Sequence, residues 1–164
     1  PMKRYDLMFD INVRGTYLCS KTCLTYLKKS ENPHILNLSP PINLKPKWFE
    51  NFTAYTMSKF GMSMCTLGMS SEYKKFNIGV NSLWTKTAIN TSALSMLGGF
   101  VRPEQCRQPL IVADAAYSIL KQNSKTCTGN FFIDEDVLRN DGEDDFDKYA
   151  VKPGNKLFED LFLD

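Results

Sequence analysis

Tyr55 and Lys59 stand four residues apart in the run Thr53-Ala54-Tyr55-Thr56-Met57-Ser58-Lys59-Phe60-Gly61. On a helix that spacing places both side chains on one face, with Cβ atoms about 5–6 Å apart. A free phenol titrates near pH ~10 and keeps its proton at neutrality. An ammonium group beside it favours the phenolate and brings proton exchange into the working range. The pair is therefore a candidate general acid/base. Taken alone, the same spacing also describes a solvated helix pair, so the residues around it decide the reading.

The elements that must position this pair can be read outward from it. His34-Ile35-Leu36-Asn37-Leu38 reads as a short buried strand stopped by Pro40 and Pro41. Ser39 falls at its carboxyl end, the edge at which open α/β sheets bind ligands. A hydroxyl there can donate to a substrate oxygen, or it can serve only as a turn residue before Pro40. Asn12 lies in a helical pattern from about Lys3 to Lys29, with Leu7, Ile11, Leu18, Leu24 and Leu27 among its apolar positions. The pattern ends at Ser30-Glu31-Asn32-Pro33. A second long helix is predicted over 53–76, carrying Met57, Met62, Met64, Leu67 and Met69. A second buried strand, 78–84, leads into Thr85-Lys86-Thr87-Ala88-Ile89-Asn90-Thr91. Helices are expected near 88–97 and 108–122, a turn at Thr126–Gly129, and a last strand over 130–134. Helices set between short apolar strands imply an α/β fold with parallel pairing and right-handed crossovers.

An Asn in a helix, a Ser after a strand, Tyr-x-x-x-Lys in a helix and a strand ending in a Thr-rich loop follow one another in this order. The chain thereby resembles the C-terminal, catalytic half of the short-chain dehydrogenase/reductase family. Ile35–Pro41, Trp84–Ile89, Asp114–Ile119, Thr128–Glu135 and Tyr149–Gly154 are similar to one hydroxysteroid dehydrogenase-like branch of it. The resemblance implies a partial Rossmann-like, doubly wound parallel sheet that lacks its N-terminal strands. It implies a catalytic acid/base at Tyr55, and a Lys59 that lowers the pKa of Tyr55 and holds the nicotinamide ribose. It gives Ser39 the substrate carbonyl, and Asn12 a water linking Lys59 to bulk solvent. Thr87, Ile89 and Thr91 become candidate carboxamide contacts, with their register open. The implied cofactor is NADP or NAD, and the implied substrate a small-molecule carbonyl or alcohol. The apolar Trp48, Met96 and Phe100 suit a fatty or steroid-like one. The resemblance further implies homo-oligomers formed through the two long helices, a peroxisomal or mitochondrial location, and a sterol-carrier-type domain beyond the tail.

The chain also departs from that pattern. Thr85-Lys86 stands where the wider family has Pro-Gly, and the branch has proline at position 85; a threonine frees the backbone at this bend. None of the nine glycines forms Gly-x-x-x-Gly-x-Gly, the loop that lets a backbone approach a pyrophosphate at a helix N-terminus. Gly98-Gly99 follows a helical stretch and reads as a helix stop. The expectation is thus a catalytic half (1–135) without most of its cofactor site, followed by an acidic tail or linker (136–164) rich in Asp141, Glu143, Asp144, Asp145 and Asp147. With only three strands, one apolar sheet edge should be exposed, a liability for aggregation or swapping.

Composition narrows the remaining classes. A net charge of +2, from 20 basic and 18 acidic residues, gives no electrostatic case for nucleic acid. No apolar run reaches the ~18 residues of a membrane helix. Five cysteines without Cys-x-x-Cys argue against a disulfide frame or zinc, and favour buried, reduced thiols in an intracellular, reducing compartment. His34 is the only histidine, so no multi-His metal site exists. Against the reductase reading stands a non-enzymatic relic or truncated isoform that keeps its helical faces but cannot bind cofactor. A lipid-handling role is a third possibility.

Overall fold

The computed structural model describes residues 1–95 and 100–163. The chain forms two compact units: one comprises Pro1–Trp84 and Gln122–Phe132, the other Thr85–Lys121 and Ile133–Asp164.

The first unit is a small α/β layer. The predicted long N-terminal helix is present but not uniform: α1 (Met2–Phe9) passes into a five-residue π-helical segment, Asp10–Arg14, and then into α2 (Gly15–Leu27). The amide of Gly15 donates to the carbonyls of both Asn12 and Asp10, the wider backbone ring that such a segment requires. β1 (His34–Leu38) and β2 (Gly79–Trp84) pair in parallel, with His34 opposite Gly79 and Leu38 opposite Leu83. β3 (Phe131–Ile133) completes the order β1-β2-β3. Between β1 and β2 runs α3 (Thr53–Glu72), which continues as a 3₁₀ turn, Lys74–Phe76. Asn77 adopts a left-handed φ of 58° and turns the chain into β2.

Met69, Tyr73, Ile78 and Val80 form the core of this layer, with Leu24, Leu27 and Ile35 packed against them. One face each of α2 and α3 is thus held to the sheet. Leu18 of α2 and Met57, Met64 and Leu67 of α3 are exposed, as are Leu7 of α1 and Ile11 of the π-helical segment. β2 is central and buried along its length up to Leu83, whereas β1 is an edge strand and Leu38 is exposed. The apolar edge expected from a three-stranded sheet is therefore present.

In the second unit, the helix predicted near 88–97 is largely absent. Ala88 and Ile89 are extended, pairing with the backbone of Phe158 and Arg107, and among the described residues of that span only α4 (Ser92–Ser95) is helical. Met96 and Gly98-Gly99 lie outside the described residues. α5 (Leu110–Lys121) matches its predicted span closely and packs against α6 (Asp134–Asn140), a helix that the sequence pattern did not reveal. Ala88, Leu94, Val101 and Cys106 form a separate core, with Val151 and Phe158 against it.

The reading of 136–164 as a linker needs correction. Val137, Leu138, Phe146, Tyr149 and Ala150 are buried, and Phe162 is 2% exposed. Tyr149 donates to the Asp114 carboxylate at 2.8 Å, fastening the tail to α5. The acidic run that suggested a solvated tail occupies only the crossing between two packed segments.

Candidate active site

Three neighbouring elements of the first unit bring the predicted side chains together. Tyr55 and Lys59 sit one turn apart in the first half of α3, both half-buried. The Lys59 ammonium donates to the Leu38 carbonyl at 3.0 Å and lies 5.0 Å from the Trp84 ring centroid. It therefore stands at the carboxyl ends of β1 and β2 together, where a sheet of this kind presents ligands.

Asn12 joins the same cluster by a route that the sequence did not suggest. Its side-chain amide donates to the Ser58 hydroxyl at 3.0 Å, and Ser58 in turn donates to the Tyr55 carbonyl at 2.8 Å. Asn12 is thus tied to the backbone that carries Tyr55 and Lys59. The close approach depends on Gly61: a Cβ there would meet Val13 Cγ2 at 2.6 Å. A π segment at a functional position is a recurrent device, and here it presents Asn12 to α3.

Ser39 is placed differently. It does stand at the end of β1, but it is 0% exposed and its hydroxyl shares a 2.8 Å hydrogen bond with Ser82. Ser82 shares another, at 2.8 Å, with Thr66, which also accepts from the Asn37 amide at 2.8 Å. Ser39 belongs to a closed polar seam between β1, β2 and α3. Asn37 and Ser39 share one strand face by the period of two, and that face lies under α3. The stripe Ser63, Thr66, Ser70 on α3 was the available sign of such a seam: three hydroxyls at helical spacing on a buried face require buried partners. Next along the chain, the Pro40 carbonyl accepts from Ser63 at 2.6 Å.

The loop after β1 is anchored to the start of α3. Thr56 donates to the Trp48 carbonyl, Thr53 donates to the Phe49 carbonyl at 2.9 Å, and the Phe49 ring meets Phe60 edge to face at 5.7 Å. Trp48 is half-buried in this unit, and Phe100, in the other, is exposed against Phe158.

Thr87, Ile89 and Thr91 all belong to the second unit. Thr87 is 6% exposed and pairs with Glu159 in an antiparallel bridge. Its hydroxyl has no hydrogen-bond partner among the described residues. Ile89 is half-buried and bridges to Arg107; Thr91 is exposed at the entry to α4. The bend itself is held by Asp134, whose Oδ1 accepts from the Lys86 amide at 2.8 Å and the Glu135 amide at 2.7 Å. Burial pushes the Asp134 carboxyl up to about 6, although those two amides and Arg107 pull the other way. Glu135 also feels burial, yet Arg107 at 2.6 Å and Arg139 at 2.8 Å hold it below the ordinary carboxylate range. Among the described residues there is no cluster of histidine, cysteine and carboxylate groups able to hold a metal ion, and no helix long and apolar enough to cross a membrane.

A parallel sheet with a tyrosine–lysine pair of one helix at its strand ends defines an α/β oxidoreductase class of site. Residues 1–96 match the model of the short chain dehydrogenase family, and the chain belongs to that family. Over 164 residues it is 61% identical to hydroxysteroid dehydrogenase-like protein 2 of Xenopus tropicalis and 60% identical to the protein of that name from Danio rerio. In both cases all of this chain is covered, but it spans only 39% of the relative's length. A solved short chain dehydrogenase of Mycobacterium thermoresistibile is 45% identical with a TM-score of 0.91, over 100% of this chain and 58% of that one.

Proposed function

We propose that this chain carries the proton-transfer machinery of a nicotinamide-dependent reductase or dehydrogenase acting on a small carbonyl or alcohol. The observation that supports this most is the position of Lys59: its ammonium is anchored at the end of β1, on the same helix face as Tyr55. In the reductive direction, Tyr55 gives its proton to the substrate oxygen, and Lys59 makes the resulting phenolate accessible near neutrality. Because Ser39 is enclosed and already paired, charge developing on that oxygen falls to the Tyr55 hydroxyl. Asn12, through Ser58, holds the helix turn between Tyr55 and Lys59 in place.

Bound nicotinamide would supply or accept the hydride. Lys59 is the candidate for the ribose; in the second unit, Thr87, whose buried hydroxyl has no partner among the described residues, is the candidate for the carboxamide. NADP and NAD are both compatible with that end. The chain has no Gly-x-x-x-Gly-x-Gly to hold a pyrophosphate, so by itself it should bind cofactor weakly and show no measurable turnover. A fatty or steroid-like substrate would suit the apolar Trp48. The exposed apolar faces of α2 and α3 support self-association of the parent protein, and a peroxisomal or mitochondrial location follows from the family branch alone.

The test is cofactor titration and carbonyl reduction by a longer polypeptide that includes this chain and a pyrophosphate loop, beside the chain alone. Turnover should appear in the former and fall by about 10²–10⁴-fold on Tyr55→Phe, the span of general acid–base catalysis. Unchanged turnover in Tyr55→Phe would remove the proposal. Tight NADPH or NADH binding by the chain alone would move the cofactor site elsewhere.

A further inference from the structure

The segment 158–160 returns from the packed tail and lies along the bend after β2. The Ala88 amide donates to the Phe158 carbonyl at 2.9 Å, and the Asp160 amide donates to the Lys86 carbonyl at 3.0 Å. Thr87 and Glu159 between them form the antiparallel bridge. The far side of the segment is fixed too: Phe158 donates its amide to the Gln105 carbonyl at 2.9 Å, and Phe162 is buried just beyond. One side-chain bond closes the arrangement, with the Thr85 hydroxyl donating to the Asp160 carboxylate.

Thr85 occupies the position at which the resemblance to the hydroxysteroid dehydrogenase-like branch implies proline. A proline ring fixes φ near −65° and stiffens a bend through its own backbone. Threonine leaves that torsion free, and no backbone bond from the Thr85 amide occurs among the described residues. The bend is instead held from outside, by a carboxylate 75 residues further along the chain. A hydrogen bond to a carboxylate is about twice as strong as a neutral one and restrains the bend from that side.

We infer that Asp160 is a positioning residue for the bend after β2: by holding Thr85 it seats the tail segment 158–160 against Lys86–Ala88 and sets where the Thr87 hydroxyl stands. The inference rests on the proposed nicotinamide contact of Thr87. It assigns the tail a part in cofactor affinity, acting through Thr85 and the bend rather than by touching cofactor.

The experiment uses the longer polypeptide with Asp160→Asn, Thr85→Val, Thr85→Ser and the Asp160→Asn/Thr85→Val pair. Hydrogen exchange without cofactor reads the seating directly. Protection of the Ala88 amide should fall about tenfold in Asp160→Asn and in Thr85→Val, because one charge-assisted bond is lost, and the pair should lose no more than either alone. Thr85→Ser, which keeps the hydroxyl, should match the parent. In turnover, the KM for NADPH or NADH should rise severalfold with kcat little changed, and Thr85→Ser should restore it. An unchanged KM and unchanged Ala88 protection in Asp160→Asn, in a protein that Tyr55→Phe still disables, overturns the inference and leaves the catalytic reading standing. Lost protection in a protein indifferent to Tyr55→Phe overturns the proposed reaction and, with it, the link to cofactor. A general loss of protection along β2 in Asp160→Asn, absent in Thr85→Val, would mean that the carboxylate supports the fold and not the bend, and would also overturn it.

Discussion

Replacing Asp134 by asparagine separates the electrostatic cost of the bend from its geometry. The folded chain holds this carboxyl at about 6 instead of 3.8, mainly because it is buried. Its proton is therefore bound more tightly folded than unfolded. Stability from this group is complete below pH ~4 and is lost as pH rises toward ~6. At about 1.4 kcal/mol per tenfold change, ionising Asp134 in the folded chain costs about 3 kcal/mol at neutral pH. Asparagine keeps the oxygen that accepts from Lys86 and Glu135. It also places an amide where Oδ2 has no hydrogen-bond partner among the described residues, at a cost of about 1–3 kcal/mol. The two effects nearly cancel at pH 7, so the variant should be equal in stability or more stable by up to about 2 kcal/mol. The decisive quantity is the slope. Urea unfolding measured from pH 4 to pH 7 should show the parent losing about 2–2.5 kcal/mol relative to the variant across that window. Glu135, held low by Arg107 and Arg139, contributes an opposite slope, and Asp134→Asn also relieves its repulsion with the Asp134 carboxylate. Parallel curves for the two proteins would mean that burial does not govern Asp134.

Ser39→Ala should lower stability by about 1–3 kcal/mol through the unpaired Ser82 hydroxyl while leaving kcat of the longer polypeptide within about twofold, the reverse of Tyr55→Phe; urea unfolding and turnover measured on the same samples check both. Gly61→Ala gains about 1 kcal/mol of helix propensity but drives a methyl into Val13, so a net loss of about 1–2 kcal/mol is expected in thermal unfolding, together with weaker protection of the π segment in hydrogen exchange. A thiol-reactive chromophore should label Cys19 and Cys23 quickly; Cys65, Cys106 and Cys127, whose thiols burial pushes up, should react slowly and in full only on unfolding.

The strands and long helices were legible because their signals are local. A short run with Ile35, Leu36 and Leu38 before two prolines, and apolar spacing over several helical turns, need no distant partner to be read. The tyrosine–lysine pair was legible for the same reason, since one helix face carries both groups. Ser39 was read at the right strand end but toward the wrong side. The parity it shares with Asn37 decides its direction, and that face became recognisable only once Ser63, Thr66 and Ser70 were seen to lie opposite. The π segment leaves no trace in the hydrophobic pattern, because its effect is a change of backbone hydrogen bonds over five residues. Asp134 was read only as the end of the last strand, and Asp160 only as part of the tail. Each is identified by a partner 48 or 75 residues away, a relation that no window along the chain contains.

The π segment at Asp10–Arg14 also acts as a phase shifter. An α-helix advances about 100° per residue, so one residue accommodated without its usual advance rotates everything beyond it relative to everything before it. Leu7 and Ile11 on one side, and Leu24 and Leu27 on the other, are related by that offset and not by a single continuous stripe. Deleting one residue here would relax the helix to regular winding, and the correction would appear as a turn of α2 about its own axis. The core contacts of Leu24 and Leu27 and the reach of Asn12 to Ser58 could then not both be kept. The local irregularity beside the reacting groups thus fixes, across its whole length, which way a helix faces.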